Sequence, residues 1–297
     1  MSLIEKAIEK LRADGGLQQG PRPLTRQHST PARVEVVPNA EAPPAAPAKK
    51  ISIDRGALRS AAYFPEAGSE SRFANYYRQI KGPILQRAFA PGAATDLRVV
   101  LVSSALPGDG KSFNSINLAL SLARERDSSV LLVDADIPKP RISHILGIEG
   151  ERGLMDAVAN ESLDPESLVL RTDIQGLEIL ASGTPTDNAS ELLSSSRMKQ
   201  IAARLCGANP RRIVLFDAPP LLVSSEARAL LTLPGQVVLV ARASKTPRRA
   251  VREALELVEE DRLTGVILNE GSGSLGDNYY YGYASYDSEN NKKTSSE

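Results

Sequence analysis

Lys111 and Ser112 close the run ALPGDGKS at residues 105–112. Two glycines precede them, and an apolar-periodic stretch, SINLALSLARER, follows. Glycines at 108 and 110 let backbone N–H groups turn inward around an anion. The N-terminus of the following helix adds its positive dipole end. A lysine here can neutralise phosphate charge, and a serine hydroxyl can join the shell of Mg²⁺. Carboxylates recur at two later places, each after an apolar run: VLLVDADIP carries Asp134 and Asp136, and RIVLFDAPP carries Asp217. A lysine, a hydroxyl and three carboxylates form the inventory of a magnesium-nucleotide site.

Such groups meet only if the runs before them are neighbouring strands. The alternation from Asp96 onward supplies that arrangement. Strand-like runs fall at 98–103, 129–134, 177–182, 212–217, 236–241 and 264–268, with helix-like runs between most of them, among them 111–125 and RRAVREALELVEED. The strands are near-continuously apolar, as expected when both faces of a sheet are covered. The expected fold is α/β, a mostly parallel sheet with helices on both faces. Parallel strands present their ligands at their carboxyl ends, where the three acids fall. ALPGDGKS then sits between a strand and a helix, the context of a P-loop, with Ala105 in place of its first glycine.

The chain divides by composition. Ser2 and Glu5 form a capping box, and Ile4, Ile8 and Leu11 share one helix face before Gly15 and Gly16. Residues 1–16 therefore read as an amphipathic helix whose stripe docks on the core or on another protein. Residues 17–62 are rich in Pro and Ala and read as a flexible linker. Residues 63–270 hold the nucleotide-binding domain. Its first helix carries Phe73, Tyr77, Ile80, Ile84 and Ala88 at helical spacing, with Pro83 expected to kink or restart it. Residues 271–297 return to Gly, Ser, Asn and charge. This flexible tail holds Tyr279, Tyr280, Tyr281, Tyr283 and Tyr286, five of the eight tyrosines in the 297-residue chain.

Other features exclude more than they assign. Lys plus Arg and Asp plus Glu number 36 each, with no basic stripe, so no nucleic-acid partner is expected. The single cysteine, Cys206, rules out an intramolecular disulfide framework and reads as a buried helix residue. His28 and His144 have no metal-ligand spacing and receive no role. Neither a signal peptide nor an apolar run near the ~20 residues of a membrane span is visible. The expectation is a cytoplasmic protein whose membrane role needs a partner.

The order of P-loop, LLVDAD and VLFDAPP resembles that of bacterial tyrosine kinases, deviant-Walker ATPases that autophosphorylate a C-terminal tyrosine cluster. PGDGKS, NLALSLA, SELLSS, DAPPLLVSSEA and GVILNE are similar to that family over about residues 70–286. MSLIEKAIEKL and YYRQIKGPILQRAF resemble the subfamily of exosortase-type exopolysaccharide loci. The resemblance implies a P-loop NTPase fold, ATP and Mg²⁺. Lys111 and Ser112 become the Walker A residues, Asp134 and Asp136 the A′ acids, and Asp217 the Walker B acid. Pro107, Gly108, Asp109, Gly110, Lys111, Ser112 and Phe113 would cradle the phosphates, and Asn269 would contact adenine. Ser112, Asp136 and Asp217 would face the metal, with Lys111 and the three acids catalytic and Asp134 the base. The five tail tyrosines would be phosphoacceptors.

The chain departs from the family pattern twice. The arginine after the A′ acids falls at Pro138, beside Lys139, and an E-x-x-R-x-x-R interface motif reads Asn75, Arg78 and Lys81. The resemblance further implies self-association, a separate membrane-embedded polysaccharide co-polymerase as activator, recruitment to the inner face of the cell membrane, and control of exopolysaccharide synthesis or export. The competing readings are a division-site or partition ATPase and an ATP-binding regulator without transfer activity. The first carries a second lysine near the start of the P-loop, where this chain has Leu106. Intact Lys111, Ser112, Asp134, Asp136 and Asp217 argue against the second.

Overall fold

The computed structural model describes residues 49–61, 63–64 and 70–271. The helix expected at 1–16 and the tyrosines expected to accept phosphate lie outside them.

Four strands form the centre of the sheet: β2 (Val99–Ser104), β3 (Ser129–Asp134), β6 (Arg212–Asp217) and β7 (Gln236–Arg242). Nearly every residue in them is buried. Their side chains alternate between two cores, as the two-residue period of a strand requires. Val99, Leu101, Leu131 and Val133 point into one core. Val100, Val102, Val130 and Leu132 point into the other. The flanking strands are β1 (Lys50–Ile51), β4 (Leu170–Thr172), β5 (Leu177–Leu180) and β8 (Leu263–Asn269). The order is β1-β4-β5-β3-β6-β2-β7-β8, parallel throughout except between β4 and β5.

Helices cover both faces. On one lie α1 (Arg55–Ser60), α2 (Glu70–Ala88) and α3 (Lys111–Leu122), through Leu58, Ile84, Leu118 and Leu122. A short helix, α4 (Arg141–Ile145), adds Ile142 to the same core. The opposite face carries α5 (Leu154–Ala159), α6 (Ala189–Leu193), α7 (Ser196–Gly207), α8 (Ser225–Leu230) and α9 (Arg248–Glu256). Cys206 is buried on α7, and burial pushes its thiol up to about 11. Among the described residues no helix is long and apolar enough to cross a membrane.

Two expectations change. Residues 49–61, assigned to the linker, form β1 and α1. Lys50 and Ile51 pair with Arg171 and Thr172. The Asp54 carboxylate accepts from the N–H groups of Gly56 and Ala57 and starts α1. Asp173 accepts from Ser52 and Ile53. These partners lie about 120 residues away, so local composition does not show them. Pro83, in turn, does not restart its helix: α2 runs through it. Pro83 is exposed while Ile84 is wholly buried.

Candidate active site

The loop Ala105–Gly110 joins β2 to α3. Gly108 and Gly110 have φ of +88° and +96°, where side chains are strained. Gly110 is the N-cap of α3 and lends it no side-chain cap, which leaves the first N–H groups of the helix for a ligand. A Cβ at Gly110 would stand 2.0 Å from Asn269 Nδ2.

Side chains from three elements brace this loop. Asp109 turns inward: Oδ2 accepts from Leu106 N at 3.0 Å and Oδ1 from the Thr246 hydroxyl at 2.6 Å. Asn269 Nδ2 donates to the Asp109 carbonyl at 3.0 Å. Asn114 Nδ2 donates to the Gly110 carbonyl at 2.9 Å. The Asp109 carboxylate is thus part of the frame. Pro107 and Gly108 form the exposed rim, and Phe113 is half-buried, edge-on to Phe73.

Below the loop the three acids come together. Asp134 and Asp217 end adjacent strands in direct register. Lys111 Nζ pairs with Asp136, lies 4.0 Å from Asp217 Oδ2 and 3.4 Å from Ser112 Oγ. Asp217 Oδ1 accepts from Ser115 Oγ at 3.0 Å, and Asp134 Oδ2 from Ser143 N at 2.7 Å. Asp134 Oδ1 and Asp217 Oδ2 are buried without a hydrogen bond. Burial, then repulsion from Asp217, pushes the Asp134 carboxyl up to about 7 against the pull of Ser143. Burial likewise raises Asp217, opposed chiefly by Lys111. At Lys111 burial works against the charge, but Asp217 and Asp136 outweigh it and hold the ammonium above its usual range.

Three buried carboxylates around one lysine leave negative charge uncompensated, an arrangement that favours a bound cation. No cluster of three or more His, Cys, Asp or Glu among the described residues could hold a metal by itself. Mg²⁺ typically takes only one or two protein carboxylates and completes its shell with phosphate oxygens and water. The unbonded Asp217 Oδ2 and the adjacent Ser112 hydroxyl fit that pattern. A cavity of about 440 Å³ between Lys199, Arg228, Leu257 and Arg262 shares no residue with this cluster. Charge and loop geometry identify the site better than cavity size does.

Sequence reading missed Ser115, Ser143, Thr246, Asn114 and Tyr77. For Asn114 and Ser115 the signal was polar residues on a helix otherwise buried. Lys81, aligned with an interface motif, faces inward onto α3, whereas Asn75 and Arg78 are exposed. Pro138 and Lys139 are exposed beyond the A′ acids. His144 lies on the surface, its Nδ1 2.5 Å from Glu149.

A family model described as ParA, NUBPL iron-transfer P-loop NTPase, matches residues 97–209. The chain is 34% identical over 189 residues to the tyrosine-protein kinase YwqD of Bacillus subtilis, covering 63% of this chain and 78% of that one. It is 34% identical over 191 residues to the putative tyrosine-protein kinase EpsB of Ralstonia solanacearum, covering 63% of this chain but only 24% of the relative. Among solved structures, the VpsO kinase domain superposes with a TM-score of 0.57 at 32% identity, covering 70% of this chain and all of that one. The family-model match spans the loop and the strand end that carries Asp134 and Asp136, and by its likeness to these kinases the chain belongs to the bacterial tyrosine kinase family.

Proposed function

We propose that the chain is an ATP-dependent autokinase that transfers the γ-phosphoryl group to tyrosines of its own tail: Tyr279, Tyr280, Tyr281, Tyr283 and Tyr286. The observation that carries this reading is Lys111 set among three buried carboxylates under the open N-terminus of α3. Phosphoryl transfer passes through a loose transition state, so positioning and charge neutralisation do most of the work. The amides of residues 108–112 and the Lys111 ammonium hold the phosphates. Ser112, Asp136 and Asp217 would hold Mg²⁺, which when bound neutralises charge on the phosphate oxygens. In the step itself a phenolic oxygen–phosphorus bond forms, the bond from the γ-phosphorus to the ADP oxygen breaks, and the phenol proton passes to a carboxylate. A phenol has a pKa near 10 and keeps its proton at neutral pH. Asp134, raised to about 7 and unbonded at Oδ1, is best matched to accept it.

The family resemblance assigns Asn269 to the adenine side; its amide meets the loop at Gly110 and Asp109. Control of exopolysaccharide synthesis or export, a separate membrane-embedded co-polymerase that recruits the chain to the membrane, and self-association follow from the family resemblance. The test is incubation of the full chain with labelled ATP and Mg²⁺, followed by mapping of the modified residues. Label on the tail tyrosines is the expected result. Truncation after Gly271 should remove the label and leave Mg-ATP binding intact. Label that persists in the truncated chain would move the acceptor elsewhere, for instance to Tyr76, which is 41% exposed.

A further inference from the structure

Tyr77 sits on α2 with 5% of its surface exposed. Its hydroxyl donates to Asn114 Oδ1 at 2.9 Å. The other end of the same amide, Asn114 Nδ2, donates to the Gly110 carbonyl, which also accepts the Asn114 backbone N–H at 3.0 Å. One side chain therefore links a buried phenol to the last residue of the phosphate loop. Burial raises the Tyr77 pKa, so the hydroxyl keeps its proton and remains a donor across the working pH range. A second contact holds the far end of α3. Lys81 Nζ donates to the Ser121 carbonyl at 3.0 Å and pairs with Glu125 at 2.6 Å. The Ser121 carbonyl belongs to the last turn of α3, whose acceptors lack partners within their own helix, and Glu125 follows just beyond that turn. Helix α2 thus grips α3 at its first and last turns.

We propose that Tyr77 is a positioning residue for the phosphate loop: through Asn114 its hydroxyl fixes the Gly110 carbonyl and hence the direction of the amides from Gly110 to Ser112. The catalytic consequence rests on the reading of this loop as the ATP site; the mechanical one does not. Tyr77→Phe keeps the ring and its packing and removes only the donor. Asn114→Asp keeps the acceptor for Tyr77 but loses the donor to Gly110.

The experiment uses the full chain and two readouts. The first is amide hydrogen exchange without nucleotide, over the peptide 105–113, with β7 as reference. Tyr77→Phe and Asn114→Asp should each speed exchange about five- to tenfold in the loop peptide alone, and the double variant should add nothing. The second is autophosphorylation kinetics. The KM for ATP should rise about fivefold in Tyr77→Phe while kcat changes less than twofold, the pattern of lost ground-state binding. Unchanged loop exchange in Tyr77→Phe would overturn the proposal. So would exchange raised equally in β7, which marks a merely structural role, or additive effects in the double variant. A wild-type chain that fails to bind Mg-ATP would refute the proposed function, and the exchange result would still decide the positioning role.

Discussion

Gly110 and Gly108 offer a controlled comparison within one loop. Both have φ near +90°, so alanine at either is strained by about 1–2 kcal/mol. That cost is offset by about 0.4–1 kcal/mol from the stiffer unfolded chain. At Gly108 nothing lies within 4 Å of the added Cβ, and the account ends there. At Gly110 the Cβ would meet Asn269 Nδ2 at 2.0 Å and Cγ at 3.0 Å. Asn269 must then move and release the Asp109 carbonyl, a loss of about 0.5–1.5 kcal/mol. Forced repacking adds about 1–3 kcal/mol. Gly110→Ala should therefore cost at least about 1.5 kcal/mol more than Gly108→Ala, roughly tenfold in an equilibrium constant. The cost appears as a lower Tm if the loop holds its shape, or as weaker Mg-ATP binding if the loop gives way. Thermal melts and calorimetric titration of both variants read the two together. Asn269→Ala placed in the Gly110→Ala chain should recover part of the loss, because it removes the obstructing amide. Equal penalties for the two glycine variants, or no recovery, would refute the close approach of Asn269 to the loop.

Lys111→Met should abolish autophosphorylation. It also strips Asp136 and Asp217 of their cation, so its Tm deficit against wild type should widen as pH rises from 5 to 8; a gap independent of pH would sever that link. Asp134→Asn should act in the opposite sense on stability. The folded carboxyl titrates near 7 against an ordinary 3.8, so folding favours its protonated form. Wild-type stability from this group is fully present below about pH 4 and is lost as pH rises through 7, by at most about 4 kcal/mol. The variant, which keeps an acceptor for Ser143, should raise Tm at pH 8 and not at pH 4, and an equal change at both would contradict the assigned titration. Mixing a Lys111→Met chain that has its tail with an active chain that lacks one should label the former; its absence where wild type labels well would argue for transfer within one chain. The ten residues from Asn269 to Tyr279 reach at most ~33–36 Å, so chain length alone does not choose the route.

The central strands were legible because burial on both faces demands continuous apolar runs, and VVLVSS, SVLLVD, RIVLFD and QVVLVAR meet that demand. The acids were legible for a related reason: a charged residue at the end of such a run falls at the ligand-binding edge of a parallel sheet. β1 and β4 were not, since two or three residues carry no periodicity and β1 finds its partner about 120 residues away. Asp109 shows a different limit. A glycine-rich loop identifies its own chemistry, but its letters do not separate an amide that faces a ligand from a carboxylate that holds the loop closed. Lys81 could have been placed correctly. Tyr77, Lys81, Ile84 and Ala88 follow the i, i+4, i+7 stripe of one helix face, and all four are buried. Matching Lys81 to an interface motif set that periodicity aside. Periodicity says which face of α2 packs inward; it does not say what the polar members of that face touch. Asn114 is equally silent on α3 until Tyr77 and Gly110 are seen at its two ends. A polar residue on a buried stripe must find a partner or pay for its desolvation. Residues of that kind on α2 and α3 mark where helix packing and the phosphate loop meet, and the identity of each partner belongs to the tertiary structure.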